Sequence, residues 1–406
     1  MLRRKVEVFF HSKLGANPWI KNIIKRVYQH IYVVFSRSKF DVSYPYVVRN
    51  NVFFGFHDKD PWSPNNNLLL AHEYKGVGNE AITSIKEVNI VVFGGADWLE
   101  KVIIGTSSAW NWQQGSELQW IDNETIIFND FVDGKIHARS LNIVTQEEVV
   151  FKYPVAGVNV PKEVYASSCF ESFGKEMPGY GYFFDKTRKS VNRRAELRLI
   201  SLKTGATSDI IDMSSFSGSI SKDFGCISHI QFSEDGLFCA FLVRRQHFGV
   251  RLYSEMWVFE TNSWESTLWN VPFGGMVSHF CFIGHSILAY ASDKTNTDGF
   301  FDVSLLEKNI ENVTKMYSDR DGHPSFRGNC LSFDTYPDGS RHKKLFVRRA
   351  REQKVEEIGK IFLPLKFDGV SRVDLHPRVR GDGNFVCFDC VSDGVRSMCT
   401  VDVSSS

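Results

Sequence analysis

Five of the chain's twelve histidines stand at the head of copies of one short sequence pattern. Each copy has a polar head residue, a short apolar run, a turn and a second apolar run, as in HIQFSEDGLFCAFL. The head residues are His57, His229, His279, His323 and His376. A single such histidine would more often cap a strand or complete a turn. Five at equivalent positions predict imidazoles that converge on one centre, where they would transfer protons near neutral pH or bind a divalent metal.

Further polar groups accompany these histidines. Arg244 and Arg245 end the second apolar run of the His229 copy, and Arg378 follows His376 by two residues. Because a guanidinium presents a planar fork of donors, these arginines predict recognition of a carboxylate. DTYPDG, which follows the His323 copy, either adds polar groups to the same centre or forms an ordinary Pro-Asp-Gly turn, and the sequence favours neither. The remaining candidates near the histidines are Asp58, Lys59, Asp334 and Tyr336.

The segment AWNWQQGSELQW concentrates aromatic and amide side chains that suit a carbohydrate. Aromatic rings match the apolar faces of a sugar, and amides match its hydroxyl edge. A tryptophan in a β-protein is more often a core residue, whereas the adjacent glutamines have less reason to be buried. The predicted sugar-binding residues of this segment are Trp110, Trp112, Gln113, Gln114 and Gln119.

The spacing of the copies predicts the elements that position these residues. The copies start near residues 57, 118, 168, 229, 279, 323 and 376, at intervals of 44 to 61 residues. Such a period suits one four-stranded propeller blade. An aromatic content of 14% favours strands over helices. We therefore predict an all-β chain that forms a seven-bladed β-propeller, with the histidine heads around its axis.

The two ends of the chain are predicted to close the ring. After His376 only three strand-length runs remain, whereas a blade needs four. The unassigned run VSYPYVVRNN at 42–51 would supply the missing strand, and this pairing would leave no open sheet edge. The alternative, a β-sandwich, would show a uniform strand spacing of about 8–12 residues without a repeated polar head.

The first forty residues differ from the rest in charge and in pattern. They carry nine Lys or Arg and one Glu, a net charge of +8, so the other 366 residues carry −7 to give the total of +1. That body has no basic excess of the kind that binds nucleic acid. Apolar residues such as Trp19 and Ile23 recur among basic ones at helical spacing. We predict a basic amphipathic helix in residues 1–40, ahead of a propeller at 41–406, that binds an anionic membrane surface or packs against protein.

Targeting signals and cysteines bear on the compartment. The sequence shows no cleavable secretory signal and no apolar stretch of about 18 residues that would span a bilayer. Several of the eight cysteines lie in apolar runs, which indicates reduced and buried thiols. These features predict a cytoplasmic protein, peripheral on the inner face of the membrane if residues 1–40 bind lipid.

The order of several short motifs carries a resemblance. FGFHDKDPWSP, WNWQQG, HIQFSEDG, DGHPSF and LHPRVRGDGNFVCFD, spread over residues 50–403, resemble bacterial propeller proteins similar to oligogalacturonate lyase, of the type linked to surface-polysaccharide synthesis. The resemblance implies β-elimination on a uronic acid, with His229 as the base and Arg244 or Arg245 assisting. It also implies a divalent ion (Mn, Ca or Zn) at or near His279, His323 and His376. SDRDGHP departs from that pattern, because it has neither a second His nor a Gln beside His323.

The leading functional prediction is a carbohydrate-active enzyme that acts on a surface or acidic polysaccharide by lyase-like β-elimination. His229 would remove the proton α to a carboxylate, and Tyr336 would protonate the leaving oxygen. The first alternative is glycosyl transfer or hydrolysis; hydrolysis needs two facing carboxylates, for which Asp58, Asp334 and Asp374 are the candidates. The second alternative is a non-catalytic propeller that binds polysaccharide or organises an assembly complex.

Overall fold

Seven antiparallel sheets surround a central channel. The computed structural model describes residues 40–405 except 83, 85, 178, 183–195, 214–223, 248–250, 319, 351 and 353. The predicted helix in residues 1–40 lies outside the described residues, apart from Phe40. No helix among the described residues is long and apolar enough to cross a membrane.

The strands follow one another blade by blade, after two short strands at the start of the described chain. The first two are β1 (Phe40–Val42) and β2 (Tyr46–Asn50). Blade 1 contains β3 (Val52–Phe53), β4 (Leu69–Glu73), β5 (Val88–Gly94) and β6 (Glu100–Ser107). Blade 2 contains β7 (Gln119–Trp120), β8 (Thr125–Val132), β9 (Lys135–Asn142) and β10 (Glu148–Phe151). Blade 3 contains β11 (Gly157–Asn159), β12 (Val164–Ser167), β13 (Glu196–Ser201) and β14 (Thr207–Asp212). Blades 4 and 5 contain β15 (Phe224–Phe232), β16 (Phe238–His247), β17 (Arg251–Glu260) and β18 (Trp269–Val271); and β19 (Val277–Ile283), β20 (Ser286–Ser292), β21 (Asp298–Ser304) and β22 (Asn309–Asn312). Blades 6 and 7 contain β23 (Ser325–Arg327), β24 (Cys330–Asp334), β25 (His342–Arg349) and β26 (Glu356–Phe362); and β27 (Arg378–Val379), β28 (Phe385–Ser392) and β29 (Val395–Asp402).

Helices are short and few in the described part of the chain. The two α-helices are α1 (Phe170–Glu176) and α2 (Trp264–Thr267). Single 3₁₀ turns lie at Ala96–Trp98, Val160–Lys162, Thr314–Met316 and Gly369–Ser371. The prediction of an all-β, seven-bladed propeller is confirmed.

Continuous apolar runs form the second strands because both faces of each blade are buried. In β16, Phe241 packs in the cluster shared with blade 3, whereas its neighbour Leu242 packs in the cluster shared with blade 5. Successive side chains of a strand point to opposite faces, so one run serves both interfaces. Cysteines take part in this packing: seven of the eight are buried, and none forms a disulfide.

The ring closes through the start of the chain, as predicted. Strand β2 pairs with β29, with Val48 opposite Cys399, and completes blade 7 as its outermost strand. A second contribution was not predicted: β1 pairs with β26 and adds a fifth strand to blade 6. Both strands at the start of the described chain therefore cover sheet edges that would otherwise be exposed.

One predicted blade start is wrong. The segment near Ser168 was taken as the head of the third copy, but it precedes α1 on the loop that follows the second strand of blade 3. The innermost strand of this blade is β11, which begins eleven residues earlier, at Gly157, and has no polar head. The apolar residues near Ser168 belong to the helix and to the packing of α1 against blades 3 and 4.

Candidate functional site

Irregular backbone aims the head residues at the axis. In β15 the register shifts between Ser228 and Gln231, and His229 between them has a φ of 56°. His376, two residues before β27, has a φ of 46°. Glu117 holds the corresponding place in blade 2, two residues before β7, with a φ of 57°. Left-handed conformations and bulges redirect a side chain away from the normal strand alternation, which brings these groups into the channel.

The five predicted histidines form one buried cluster. Ring centroids are 4.1 Å apart for His279 and His323, and 4.3 Å apart for His323 and His376. His229 lies 5.7 Å from His279, and His57 lies 5.4 Å from His323. We call these five residues the histidine cluster. The structure brings them together, while their chemical roles stay predictions.

Phe56 occupies the middle of the histidine cluster. Its ring centroid is 4.6 Å from that of His57, 4.7 Å from that of His229 and 4.8 Å from that of His376. Only 2% of Phe56 is exposed. An apolar ring here excludes water, and burial is the first cause that holds the pKa of His57, His229 and His376 well below its ordinary value. These three imidazoles are therefore neutral at pH 7.

Hydrogen bonds fix the orientation of three of the imidazoles. Nδ1–H donates to Pro324 O at 2.8 Å in His57 and to Gly55 O at 3.0 Å in His376. In His323 the Nδ1–H donates to Asp334 Oδ1 at 2.8 Å. Each Nε2 then carries a lone pair, is buried and has no hydrogen-bond partner among the described residues. A ring nitrogen anchored on one side and free on the other is the usual state of a metal-ligating histidine.

A carboxylate lies beside two of these nitrogens. Ligand atoms of His323, His376 and Asp374 all fall within 4.8 Å of one another. Asp374 accepts from Lys343 Nζ at 2.5 Å and from Arg372 Nε at 2.6 Å. Burial alone would raise the pKa of Asp374, but Lys343 and Arg372 outweigh burial and hold this pKa well below its ordinary value. Two imidazoles and a carboxylate fit Mn²⁺ or Zn²⁺ better than Ca²⁺, which prefers oxygen ligands.

His279 is oriented through a serine. Its Nδ1–H donates to Ser278 Oγ at 3.0 Å, and that hydroxyl donates to Asp321 Oδ2 at 2.7 Å. Burial, followed by the neighbouring His323, lowers the pKa of His279 to about 4. His279 is therefore a second neutral imidazole against His323, next to the three ligand candidates rather than among them.

Arg244 and the neutral His229 form a buried, hydrogen-bonded pair. Arg244 Nη2 donates to His229 Nε2 at 3.4 Å and to Ser278 O at 3.3 Å, and Nε donates to Ser228 Oγ at 3.1 Å. Arg244 is buried, and no carboxylate within the described residues forms an ion pair with it. A buried guanidinium without an anionic partner is a place where a ligand carboxylate would be favourable. The backbone of Arg245 lies in β16, but its side chain is outside the described residues.

Two tyrosines stand on the same side of the histidine cluster. The Tyr336 ring is 5.4 Å from that of His323, and the Tyr180 ring is 6.2 Å from that of His229. Arg372 Nη2 donates to the Tyr180 hydroxyl at 3.1 Å. Burial raises the pKa of both tyrosines, so both hydroxyls keep their protons at neutral pH. Each can therefore donate a proton.

Asp58 and Lys59 belong to a buried charge triad with Glu117. Lys59 Nζ bonds Asp58 and lies 3.4 Å from Glu117 Oε2. Burial, against the opposing effect of Lys59, raises the pKa of Glu117 to about 8. One lysine thus faces two carboxyls, and the protonated form of Glu117 removes the excess negative charge at pH 7.

Glu117→Gln is expected to remove a pH dependence of stability. Because the folded pKa of Glu117 is above its unfolded value, the folded state binds the extra proton, and wild-type stability falls as pH rises from about 5 to about 8. The variant should lack this decline, which is worth up to about 1.4 kcal/mol per pH unit. Thermal unfolding of both proteins across this range measures the difference. A constant difference between them at all pH values would contradict the assignment.

The aromatic segment is packed inside the protein. Trp110 and Trp112 are 2% and 3% exposed, and their indole N–H groups donate to Lys86 O and Glu80 O. Their rings meet each other and Phe53. The two tryptophans therefore serve as core residues in this structure, and the predicted sugar contact has no exposed ring face to use.

The amides of the same segment are also buried. Gln113 Nε2 donates to Arg372 O, and its Oε1 and that of Gln114 have no partner among the described residues. Gln119 donates to Glu117 O and accepts from Val158 N. Arg378 donates to Asp389 Oδ1 at 2.8 Å and to Gly55 O at 2.8 Å. Roles of these residues in substrate binding stay predictions.

Sequence reasoning missed several members of the site. Their separation along the chain gives no common pattern: Lys343 lies in strand β25, and the others lie in loops within or between blades. Of these residues, only Glu117 could have been predicted from the sequence. ELQW has the same spacing as HPRV, because in both segments the head residue lies two positions before the innermost strand. The missed residues are Phe56, Glu117, Tyr180, Asp321, Lys343 and Arg372.

Asp334→Asn is expected to weaken Mn²⁺ binding by about 10- to 100-fold, because Asp334 orients two ligand candidates. Its carboxylate accepts from the His323 ring and from the backbone N–H of His376, and an amide N–H₂ would oppose one of these donors. Isothermal titration with MnCl₂ gives the affinity. The matched control is Asp338→Asn, in the loop that follows β24, where among the described residues Asp338 hydrogen-bonds with Ser340, Arg341 and His342. Equal affinities of the two variants would refute the positioning role.

Proteins of known structure share this fold at very low sequence identity. An oligogalacturonate lyase from Vibrio parahaemolyticus is similar with a TM-score of 0.59 and 12% identity, over 91% of this chain and 99% of its own. An oligogalacturonate lyase in complex with manganese gives a TM-score of 0.61 and 11% identity, over 90% and 98%. The β-propeller domain of the trilobed protease from Pyrococcus furiosus gives 0.51 and 11%, over 90% and 95%.

These similarities show the fold of the protein. It is a seven-bladed β-propeller of the kind that oligogalacturonate lyases have, as the resemblance in the sequence implied. The same architecture also occurs in a protease, so the fold by itself does not select an activity. No protein-family model matches the sequence, and no curated protein sequence matches it.

Proposed function

We propose that the chain is a lyase that cleaves a uronic-acid-containing saccharide by β-elimination at the histidine cluster. The observation that supports this most is the juxtaposition of a neutral histidine, His229, with Arg244, a buried guanidinium that has no anionic partner among the described residues. β-Elimination needs a carboxylate anchor and a base beside the same carbon, which these two groups would provide.

Substrate binding would itself activate the base. Burial is the largest cause of the low pKa of His229, and the charge of Arg244 is the next. A substrate carboxylate that pairs with Arg244 would neutralise this charge and draw the guanidinium N–H away from His229 Nε2. The pKa of His229 would rise, and its lone pair would become available to remove the proton α to the carboxylate.

The elimination would then proceed without water. The C–H bond electrons form the new C=C bond, the glycosidic C–O bond breaks on the adjacent carbon, and the leaving oxygen takes a proton. Tyr336 and Tyr180 are the protonated donors on the same side of the histidine cluster as Arg244. Asp374 lies on the same side, and its negative charge is paired with Lys343 and Arg372.

A divalent metal fits the residues present. His323 and His376 would hold it through Nε2, with Asp374 as the oxygen ligand. When bound, such an ion supplies a Lewis acid for a carboxylate oxygen and stabilises charge that develops there. The surrounding residues orient these ligands: Asp334 holds the His323 ring, and Gly55 O holds the His376 ring.

The test is a substrate screen with the full-length protein, both loaded with Mn²⁺ and treated with EDTA. Oligogalacturonate and other uronate-containing polysaccharides are incubated with it, and the ultraviolet absorbance of the conjugated unsaturated product is followed. We expect absorbance to rise with at least one of them. Release of reducing ends without that absorbance would favour hydrolysis, and binding without any turnover would favour a non-catalytic propeller; either result overturns the lyase.

A further inference from the structure

A cavity lies on the opposite side of the histidine cluster from Arg244. Arg244 pairs with Cys226 near the start of β15, whereas the cavity is lined by the same strand only from Ile230 onward, beyond His229. The ends of the other innermost strands and the turns that follow them complete its wall. Its volume is about 370 Å³, at the lower end of the range for small-molecule sites. We call it the axial cavity.

Six of the residues that line the axial cavity hold equivalent places in the repeat. Each follows the head residue of its blade by three positions, as in HIQF, HFCF and HPSF of blades 4 to 6. Because equivalent positions of a propeller lie around one axis, these side chains form a belt. The axial belt consists of Asp60, Trp120, Phe232, Phe282, Phe326 and Val379.

The axial belt is aromatic on one side and carries a single carboxylate. The rings of Phe232, Phe282 and Phe326 come from three adjacent blades and are only partly buried. Asp60 is the one ionisable member, and its side chain is 32% exposed. Its Oδ1 accepts from the backbone N–H of Trp62 at 2.9 Å, which fixes the carboxylate in its turn. Oδ2 has no hydrogen bond among the described residues, so a ligand can still bond to it.

The charges around the axial cavity have an acidic excess. Among the groups that line it or pair with those that do, the carboxyls are Asp58, Asp60, Glu117, Glu234 and Asp389, and the cations are Lys59, Arg327 and Arg378. Protonation of Glu117 at pH 7 leaves four negative charges against three positive ones. Two of the cations each have one ionised partner close by, so the excess lies at the third.

That third cation, Arg327, faces two carboxylates and bonds neither. It lies 3.9 Å from Asp60 and 3.6 Å from Glu234, which is too far for a hydrogen bond. All three side chains are open to solvent in part. The uncompensated negative charge is therefore accessible from the axial cavity, and an anionic ligand would be repelled there.

Aromatic faces beside a carboxylate are typical of a site for an ammonium ion. The negative face of a ring attracts a cation, and the carboxylate supplies the opposite charge. A neutral ligand would gain nothing from that charge. Ca²⁺ or Mg²⁺ would need several oxygen ligands, which the rings of the axial belt do not supply. The combination favours an organic cation with alkyl groups.

We propose that the axial cavity is a second ligand site, which binds a small organic cation with its ammonium group beside Asp60 and its alkyl groups against the phenylalanines of the axial belt. This site goes beyond the proposed lyase activity. Binding here requires neither a metal nor His229, because the histidine cluster lies between Arg244 and the axial cavity.

Isothermal titration at neutral pH with two cations and their neutral counterparts tests the site on the full-length protein. Burial, against the opposing effect of Arg327, raises the pKa of Asp60 to about 6, so this carboxyl is ionised under these conditions. Choline is compared with 3,3-dimethyl-1-butanol, and n-butylamine with 1-butanol. We expect at least one of the two cations to bind at least about tenfold more tightly than its neutral counterpart.

Asp60→Asn should weaken this binding at least about tenfold. The amide has no charge, but it can still accept from the Trp62 N–H and keep the turn. The matched control is Asp122→Asn in blade 2, because the exposed carboxylate of Asp122 also accepts from backbone N–H groups and does not line the axial cavity.

Phe282→Leu tests the aromatic part of the site. Leucine keeps an apolar contact but has no ring face, so cation binding should weaken by about two- to fivefold while the neutral counterpart is little affected. Phe273→Leu is the matched control. Both phenylalanines are partly buried and pack against the apolar cluster of blades 4 and 5, but Phe273 does not line the axial cavity.

Three outcomes would overturn the proposal. Neither cation binds at tens of millimolar; or each cation binds no more tightly than its neutral counterpart, so that the cavity selects apolar shape and not charge; or Asp60→Asn and Asp122→Asn bind the cation equally, which would place it elsewhere. His229→Ala should leave cation binding unchanged, so a failure of the lyase proposal and a failure of the axial cavity give different results.

Discussion

His229→Ala is expected to lower kcat on an active uronate substrate by about 10²- to 10⁴-fold, the usual contribution of a positioned general base. The loss should fall on kcat rather than on KM, because His229 has no surplus charge with which to hold the substrate in the ground state. Steady-state rates from the absorbance of the unsaturated product give both constants. Circular dichroism and the thermal midpoint show whether the variant folds.

The variant Arg244→Met tests the anchoring of the substrate carboxylate separately from proton transfer to His229. Removal of the guanidinium should raise KM, because the substrate carboxylate loses its buried partner, and should also lower kcat by weakening the base.

His285→Ala is the matched control for His229→Ala, since His285 of blade 5 is exposed and pairs with Asp235. An active His229→Ala variant with wild-type kcat would exclude His229 as the base.

Asp389→Ala is expected to lower the free energy of unfolding by about 3–5 kcal/mol, the cost of breaking a buried ion pair. Asp389 is 1% exposed and accepts from the backbone N–H groups of Phe54 and Gly55, both at 3.1 Å. It also accepts from Arg378 at 2.8 Å. Its loss leaves a buried guanidinium and two buried N–H groups without their acceptor, at the contact between blades 7 and 1.

Chemical denaturation of Asp389→Ala and Asp382→Ala provides the comparison. Asp382 lies in the same blade and pairs with Arg380 near the surface, so its loss should cost no more than about 1 kcal/mol. Equal destabilisation by the two variants would show that the buried pair does not contribute to closing the ring. The m-value should be unchanged if the variants unfold in one cooperative step.

The blade count, the closing strand and the convergence of the histidines could be predicted because each rests on a local, repeated pattern. A polar head before two apolar runs recurs at the period of a blade, and the axis of a propeller gathers equivalent positions. The missing strand at 42–51 followed from counting. Such arguments need no knowledge of distant contacts.

Other features depend on contacts that leave no local trace. Strand β1 has only three residues and no repeat to mark it. The innermost strand of blade 3 has Gly157 where a Cβ would lie 2.7 Å from Ile230 O, so close packing between blades took the place of a polar head. The tryptophans of AWNWQQG could not be assigned to core or surface, because their neighbours Phe53 and Tyr74 lie in another part of the chain.

The pairing of β2 with β29 also has a consequence for synthesis on the ribosome. Val401, the partner of Tyr46, is made 355 residues after it (401 minus 46). Until β29 is made, the hydrogen-bonding groups of β2 stay unpaired, and six blades can form before the seventh has all its strands. Long-range pairing of this kind is slow and leaves edges exposed in the meantime. The ring therefore closes only after β29 has been made, and the unpaired strand β2 is open to aggregation until then.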